Sequence, residues 1–168
     1  MGIVKTKSEP FSATDWIAIA IATAGGAGFA PKALGTAGSV VGVFIYLLLD
    51  RAGGGAYYAH AIIFFFIIGI WASSRVEHLW GHDAQRIVID EVVGQMITFG
   101  MAAGRYSLSA LYVVLGFGLF RLFDIVKPFP IRRLERFKGG FGVIMDDVGA
   151  GLYALVVLTL AQYVLAKV

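Results

Sequence analysis

The stretch Ala56 to Ala72, AYYAHAIIFFFIIGIWA, carries no acid, lysine or arginine. A helix needs roughly 20 apolar residues to cross the hydrocarbon core of a bilayer, and this run comes close to that alone. Tyr57, Tyr58 and Trp71 stand near its ends, where aromatic rings mark a membrane interface. Backbone inside lipid must satisfy its own polar groups, so spanning chains are helices or closed barrels. Similar runs recur at Gly38–Leu49, Ile87–Ala103, Ser107–Val126 and about Val143 to Ala166. The composition agrees: 58% of residues are hydrophobic and only 15% charged, whereas a soluble domain has about 45–50% and about 25%. The expected fold is all-α: one membrane-embedded domain over residues 1–168, a polytopic integral helix bundle of about five spanning helices. A further stretch, Ser12 to Ala24, opens on a capping residue, Ser12 or Thr14. It is short for a span, so it is expected to lie in the interface, re-enter, or cross with help from its neighbours.

The absence of cysteine excludes disulfides, iron–sulfur clusters, thiolate zinc sites and a cysteine nucleophile. The net charge of +3 is small, and the basic residues sit in loops rather than in a nucleic-acid-binding stripe. No cleaved leader is expected, because the first apolar run ends in glycines without a clear processing site. Lys127, Arg132, Arg133, Arg136 and Lys138 place their loop in the cytoplasm. Counting back through the spans puts the Ser73–Arg86 and Gly25–Gly38 loops on the same side, and the loops at Arg51 and Arg105 outside. Lys5 and Lys7 join the cytoplasmic side only if the first stretch does not cross. In this arrangement Asp83, Asp90, Glu91, Asp124, Asp146, Asp147 and the Gly35–Ser39 stretch all lie near one face.

Acids inside apolar runs are costly and are functional by default. Asp90 and Glu91 stand in the first turns of one run, where helix-dipole compensation is the plainer explanation. Arg86 is four residues before Asp90 and is placed to hold it on a helix. Gly94, one turn on, would allow close helix approach. Asp146 and Asp147 repeat the pattern at the start of the last run, followed by Gly149 and Gly151. Asp124 lies at the C-terminal end of its helix, where the macrodipole disfavours an anion. Arg121 and Lys127 are each three residues away, so a structural ion pair is the alternative there. A set of carboxylates without soft ligands suits a hard cation, chiefly magnesium. His78 and His82 have helical spacing but fall in an expected loop, and His60 falls on the far side. Gly35-Thr36-Ala37-Gly38-Ser39 has the composition of a phosphate cradle at a helix start, though it lacks the P-loop lysine.

Four stretches carry a family resemblance: Gly-Thr-Ala-Gly-Ser at 35–39, IVIDEVVGQMIT at 87–98, FRLFDIVKPFPI at 120–131 and GGFGVIMDDVGAG at 139–151. In this order and spacing the chain resembles phosphatidylglycerophosphatase A from about Gly28 to Ala154. The resemblance implies a magnesium-dependent membrane phosphatase of a bacterial inner membrane, with its site facing the cytoplasm. Its reaction would convert phosphatidylglycerophosphate to phosphatidylglycerol and inorganic phosphate. The family-like positions are Thr36, Ser39, Asp83, Asp90, Glu91, Arg121, Asp124, Lys127, Asp146 and Asp147. The expected metal and catalytic set is Asp90, Glu91, Asp124, Asp146 and Asp147. Arg121, Lys127, Thr36 and Ser39 would bind the substrate phosphate, with Asp83 and Arg86 in support. A metal-activated hydroxide is the favoured nucleophile, and an aspartyl-phosphate is the competitor.

The alternatives are different enzymes or a different class. A CDP-alcohol phosphotransferase also clusters aspartates in membrane helices, but its long Asp-Gly…Ala-Arg signature is absent. A lipid phosphatase with a histidine nucleophile needs a Pro-Ser-Gly-His core, also absent. A small ion-coupled transporter would place ionisable groups across the midplane, and here the middles of the apolar runs carry none.

Overall fold

A computed structural model describes residues 10–81, 85–100, 109–134 and 136–165. Among these residues the chain is helical, without a strand: α1 (Ala13–Ala22), α2 (Leu34–Arg51), α3 (Ala56–Trp80), α4 (Ile89–Thr98), α5 (Ala110–Val126), α6 (Ile131–Leu134) and α7 (Gly139–Leu165). Lys5, Lys7, His82, Asp83 and Arg105, all used in the sequence reading, lie outside the described residues.

The bundle is built around α4. Val92, Val93 and Met96 of this helix have no exposed surface, and α2, α3, α5 and α7 all pack against it. Small residues let them approach closely, the general device of membrane bundles. A Cβ at Gly42 of α2 would lie 2.8 Å from Gln95 Cβ and 2.9 Å from the Val92 carbonyl oxygen. Gly94 of α4 and Gly151 of α7 face each other so tightly that the backbones touch. At the far end Tyr46 stacks on Phe99 at 4.3 Å, and the Tyr58 hydroxyl donates to the Met96 carbonyl at 2.6 Å. These contacts pin the C-terminal end of α4. Outside, Phe44, Leu48, Ile63, Phe64, Val156 and Leu160 are exposed. A large apolar exterior over a close-packed centre suits lipid rather than water.

By length and hydropathy α2, α3 and α7 can each cross a membrane. With 17 residues α5 is shorter, about 25 Å by its rise per residue. Within the run Ile87–Ala103, expected to span, the described residues form the 10-residue α4, about 15 Å against a core of about 30 Å. Of the roughly five spans expected, three helices among the described residues meet the length and hydropathy of a crossing.

The expected loop at Ser73–Arg86 is corrected, because α3 continues through Trp80. Tertiary partners hold this polar extension in helix: Ser74 Oγ accepts from the Gly140 amide at 3.0 Å, Val76 is fully buried, and Arg75 pairs with Asp15 at 2.8 Å. The last helix begins at Gly139 rather than near Val143.

Ser12 caps α1 in a full capping box with Asp15. At one end Asp15 reaches Arg75, and at the other the Ala22 carbonyl accepts from the Val88 amide at 2.9 Å. Both ends are therefore tied to the half of the bundle where α4 begins. Its 10 residues are too few to cross unaided. Asp15 is only 1% exposed whereas Arg75 is 40% exposed. Asp15→Ala should therefore lower stability by roughly 1–3 kcal/mol, through the lost capping-box contact and the lost ion pair. The melting of the detergent-solubilised protein, followed by tryptophan fluorescence, checks this.

Candidate metal and phosphate site

Two buried glycine contacts bring the acidic helices into register. A Cβ at Gly94 would lie 2.6 Å from the Asp147 carbonyl oxygen, so α7 passes α4 with Asp147 at the level of its N-terminal half. Asp90 and Glu91 stand in the first turn of α4. One carboxylate oxygen from each of Asp90, Glu91 and Asp147 comes within 4.8 Å of the others. Asp147 is 3% exposed, and Asp90 Oδ1 and Glu91 Oε2 are buried without a hydrogen-bond partner. Buried polar atoms are nearly always satisfied, and an orphaned one marks a strained group or a missing water or ion. Three acids in such a space repel one another unless protons or a cation intervene. All-oxygen donors at this spacing fit a hard divalent ion.

The other two expected ligands stand at the rim, each engaged by a cation. Asp124 at the end of α5 takes Arg121 Nη1 at 2.8 Å, and its carboxyl also faces Asp147. The ion-pair reading of Asp124 thus holds, and it coexists with a place beside the cluster. Asp146 takes Lys127 Nζ at 2.7 Å. Neighbouring positions on α7 point apart, so Asp147 turns to α4 and Asp146 to the basic loop.

The Gly35–Ser39 stretch forms the first turns of α2, whose N-terminus has no side-chain cap. A Cβ at Gly35 would collide with Glu91 Oε1 and lie 2.9 Å from Arg121 Nη1. A larger residue there would push one or both side-chain ends aside. Ser39 Oγ donates to the Gly35 carbonyl at 2.9 Å and lies 3.5 Å from Arg121 Nη1. Thr36 is half-buried on the same turn. One guanidinium therefore pairs with the acid of α5, reaches Ser39 of α2 and lies against Gly35 beside the acid of α4. This junction is suited to a phosphate, because free helix N–H groups and a guanidinium are both phosphate donors.

Arg86 does not hold Asp90. α4 starts at Ile89, so Arg86 precedes the helix and the spacing argument has no helix to act on. Its guanidinium lies over the Phe29 ring instead, 5.2 Å from the centroid. His78 is on the exposed side of α3, and a ring nitrogen of His60 meets the Ala56 carbonyl at 2.6 Å. The sequence reading missed Gln95. It is fully buried one turn below Glu91, and neither its amide oxygen nor its nitrogen has a partner. A lone polar residue four positions after an acid, inside an apolar run, was the available signal. Asp15 and its ion pair with Arg75 were missed too, because residues so far apart in sequence leave no local pattern.

The family model described as Phosphatidylglycerophosphatase A matches residues 20–162. A Bacteroides thetaiotaomicron protein, named as a candidate phosphatidylinositol-3-phosphatase, is 40% identical over 154 residues, covering 89% of this chain and 96% of its own. The phosphatidylglycerophosphatase A of Haemophilus influenzae is 37% identical over 82% of this chain and 84% of its own. That of Escherichia coli is 32% identical over 79% and 76%. No solved structure matches the chain.

Proposed function

The chain belongs to the phosphatidylglycerophosphatase A family, and on that premise we propose that it hydrolyses phosphatidylglycerophosphate to phosphatidylglycerol and inorganic phosphate. Magnesium is the proposed cofactor, and the cytoplasmic face of a bacterial inner membrane the proposed location. The observation that most supports this reading is the convergence of Asp90, Glu91 and Asp147, with two orphaned carboxylate oxygens, beside Arg121 and the start of α2.

Asp90, Glu91 and Asp147 would hold the ion, with Asp124 and Asp146 within reach at the rim. When bound, a divalent cation supplies Lewis-acid polarisation of the phosphoryl oxygens and neutralises their charge. The chain's own groups do the rest. Arg121, held in place by Asp124, donates to the equatorial oxygens, and Lys127 adds a second positive charge. The first turns of α2, with Thr36 and Ser39, fix the phosphate from the other side. A carboxylate of the cluster takes a proton from water as its oxygen bonds to phosphorus. The phosphorus–oxygen bond to the glycerol then breaks, and the leaving oxygen takes up a proton. Lys127 and the other cations of its loop support the cytoplasmic assignment through charge alone.

Purified protein in detergent with magnesium is expected to release phosphate from phosphatidylglycerophosphate, and a chelator should stop release until magnesium is restored. No release in any active lipid or detergent would sink the reading. Phosphatidylinositol 3-phosphate should be assayed in parallel, since a similar relative carries that substrate in its name. A clear preference for it would move the headgroup assignment while leaving the chemistry in place.

A further inference from the structure

A cavity of about 610 Å³ opens at the same end of the bundle, lined by Phe29, Pro31, Leu34, Trp80, Gln85 and Arg86. Its walls are ordered from several directions. The Arg86 carbonyl fills the space where a Cβ at Gly28 would be, and the following Val88 amide donates to Ala22 at 2.9 Å. Phe29 meets Trp80 edge to face at 6.2 Å and carries the Arg86 guanidinium on its ring. Arg86 makes no ion pair with any described residue.

The cavity adjoins the carboxylate cluster along two chain segments. Leu34 on its wall precedes Gly35, which packs on Glu91 and Arg121. Arg86 is four residues from Asp90, at most about 14 Å of fully extended chain. A cation that pairs with no carboxylate among the described residues, an exposed amide and two aromatic rings suit an anion that also carries a hydroxyl group. Aromatic and arginine side chains at the end of an apolar bundle also suit headgroup depth.

We infer that this cavity binds the phospholipid headgroup beyond the scissile phosphate, with Arg86 donating to the phosphodiester and Gln85 to the free headgroup hydroxyl. The inference rests on the lipid-phosphatase reading and adds to it a residue set that selects lipid substrates over free phosphomonoesters. Arg86 acts in binding: it touches the substrate's second phosphate, not the reacting one.

The test is Arg86→Gln in mixed micelles of phosphatidylglycerophosphate. KM should rise about tenfold, the size of one charge-assisted hydrogen bond, with kcat within about twofold. Selectivity for the lipid over glycerol phosphate should fall by the same factor, and Arg86→Lys should recover part of it. Gly28→Ala, which displaces the Arg86 backbone, should reproduce the KM effect. A readout without turnover is titration of glycerophosphoglycerol, the deacylated phosphodiester headgroup, into the detergent-solubilised protein, where Arg86→Gln should weaken binding about tenfold. An unchanged KM and unchanged headgroup binding would overturn the assignment, as would an equal loss on lipid and glycerol phosphate. Headgroup binding that depends on Arg86 in a protein inactive on every lipid phosphate would instead count against the hydrolase reading and leave the cavity assigned.

Discussion

Asp147→Asn should reduce phosphate release from phosphatidylglycerophosphate by on the order of 10³-fold. A cation clamp contributes several kcal/mol of transition-state charge stabilisation, and each 1.36 kcal/mol is about a factor of ten in rate. Asparagine keeps the shape but loses the charge that, with Asp90 and Glu91, would hold the ion. The effect on stability should have the opposite sign. Without metal, three carboxylate oxygens within 4.8 Å repel one another, so removing one charge relieves the folded state. Metal-free Asp147→Asn should melt no lower than the parent protein, and added magnesium should raise its melting temperature less. Retained turnover would remove Asp147 from the site. Lost turnover with a collapsed melting temperature would instead show that Asp147 is structural.

Gly94→Ala should harm both activity and stability through geometry alone. The added Cβ would lie 2.5 Å from the Phe120 ring and 2.6 Å from the Asp147 carbonyl oxygen. Neither a packed ring nor a backbone carbonyl can turn away, so α4 and α7 must separate. Overpacking of this kind costs about 1–3 kcal/mol. Displacing Asp147 from Asp90 and Glu91 by about 1 Å can cost about 10²-fold in rate. Gly118→Ala is the control: the site on α5 is exposed, with nothing within 4 Å, and it should be neutral or slightly stabilising. Melting curves and phosphate release on the three proteins separate the outcomes. If Gly94→Ala behaves like Gly118→Ala, the helix crossing does not set the site.

Much of this was legible without coordinates. The apolar runs require helices, since backbone in lipid must bond to itself. Asp90, Glu91 and Asp147 were conspicuous because charge in such runs is costly, and Gly94 and Gly151 because small residues mark close crossings. Less was legible where the chain depends on distant partners. The helical extension of α3 through Ser74 and Arg75 draws on Gly140 and Asp15. The place of Arg86 depends on where α4 starts and on Phe29. The burial of Gln95 depends on α2, which closes against its side chain at Gly42.

The sequence by itself determined the solvent this chain belongs in, its helical class and the acids set at a cost within apolar runs, because hydropathy and charge are properties of single residues and short runs. Tertiary structure alone decided which carboxylates meet. Asp146 and Asp147 are neighbours with the same chemistry, yet one faces Lys127 and the other Asp90 and Glu91. That choice follows from the rotation of α7 against α4 where Gly151 meets Gly94, an orientation set by packing between distant segments and by no local pattern.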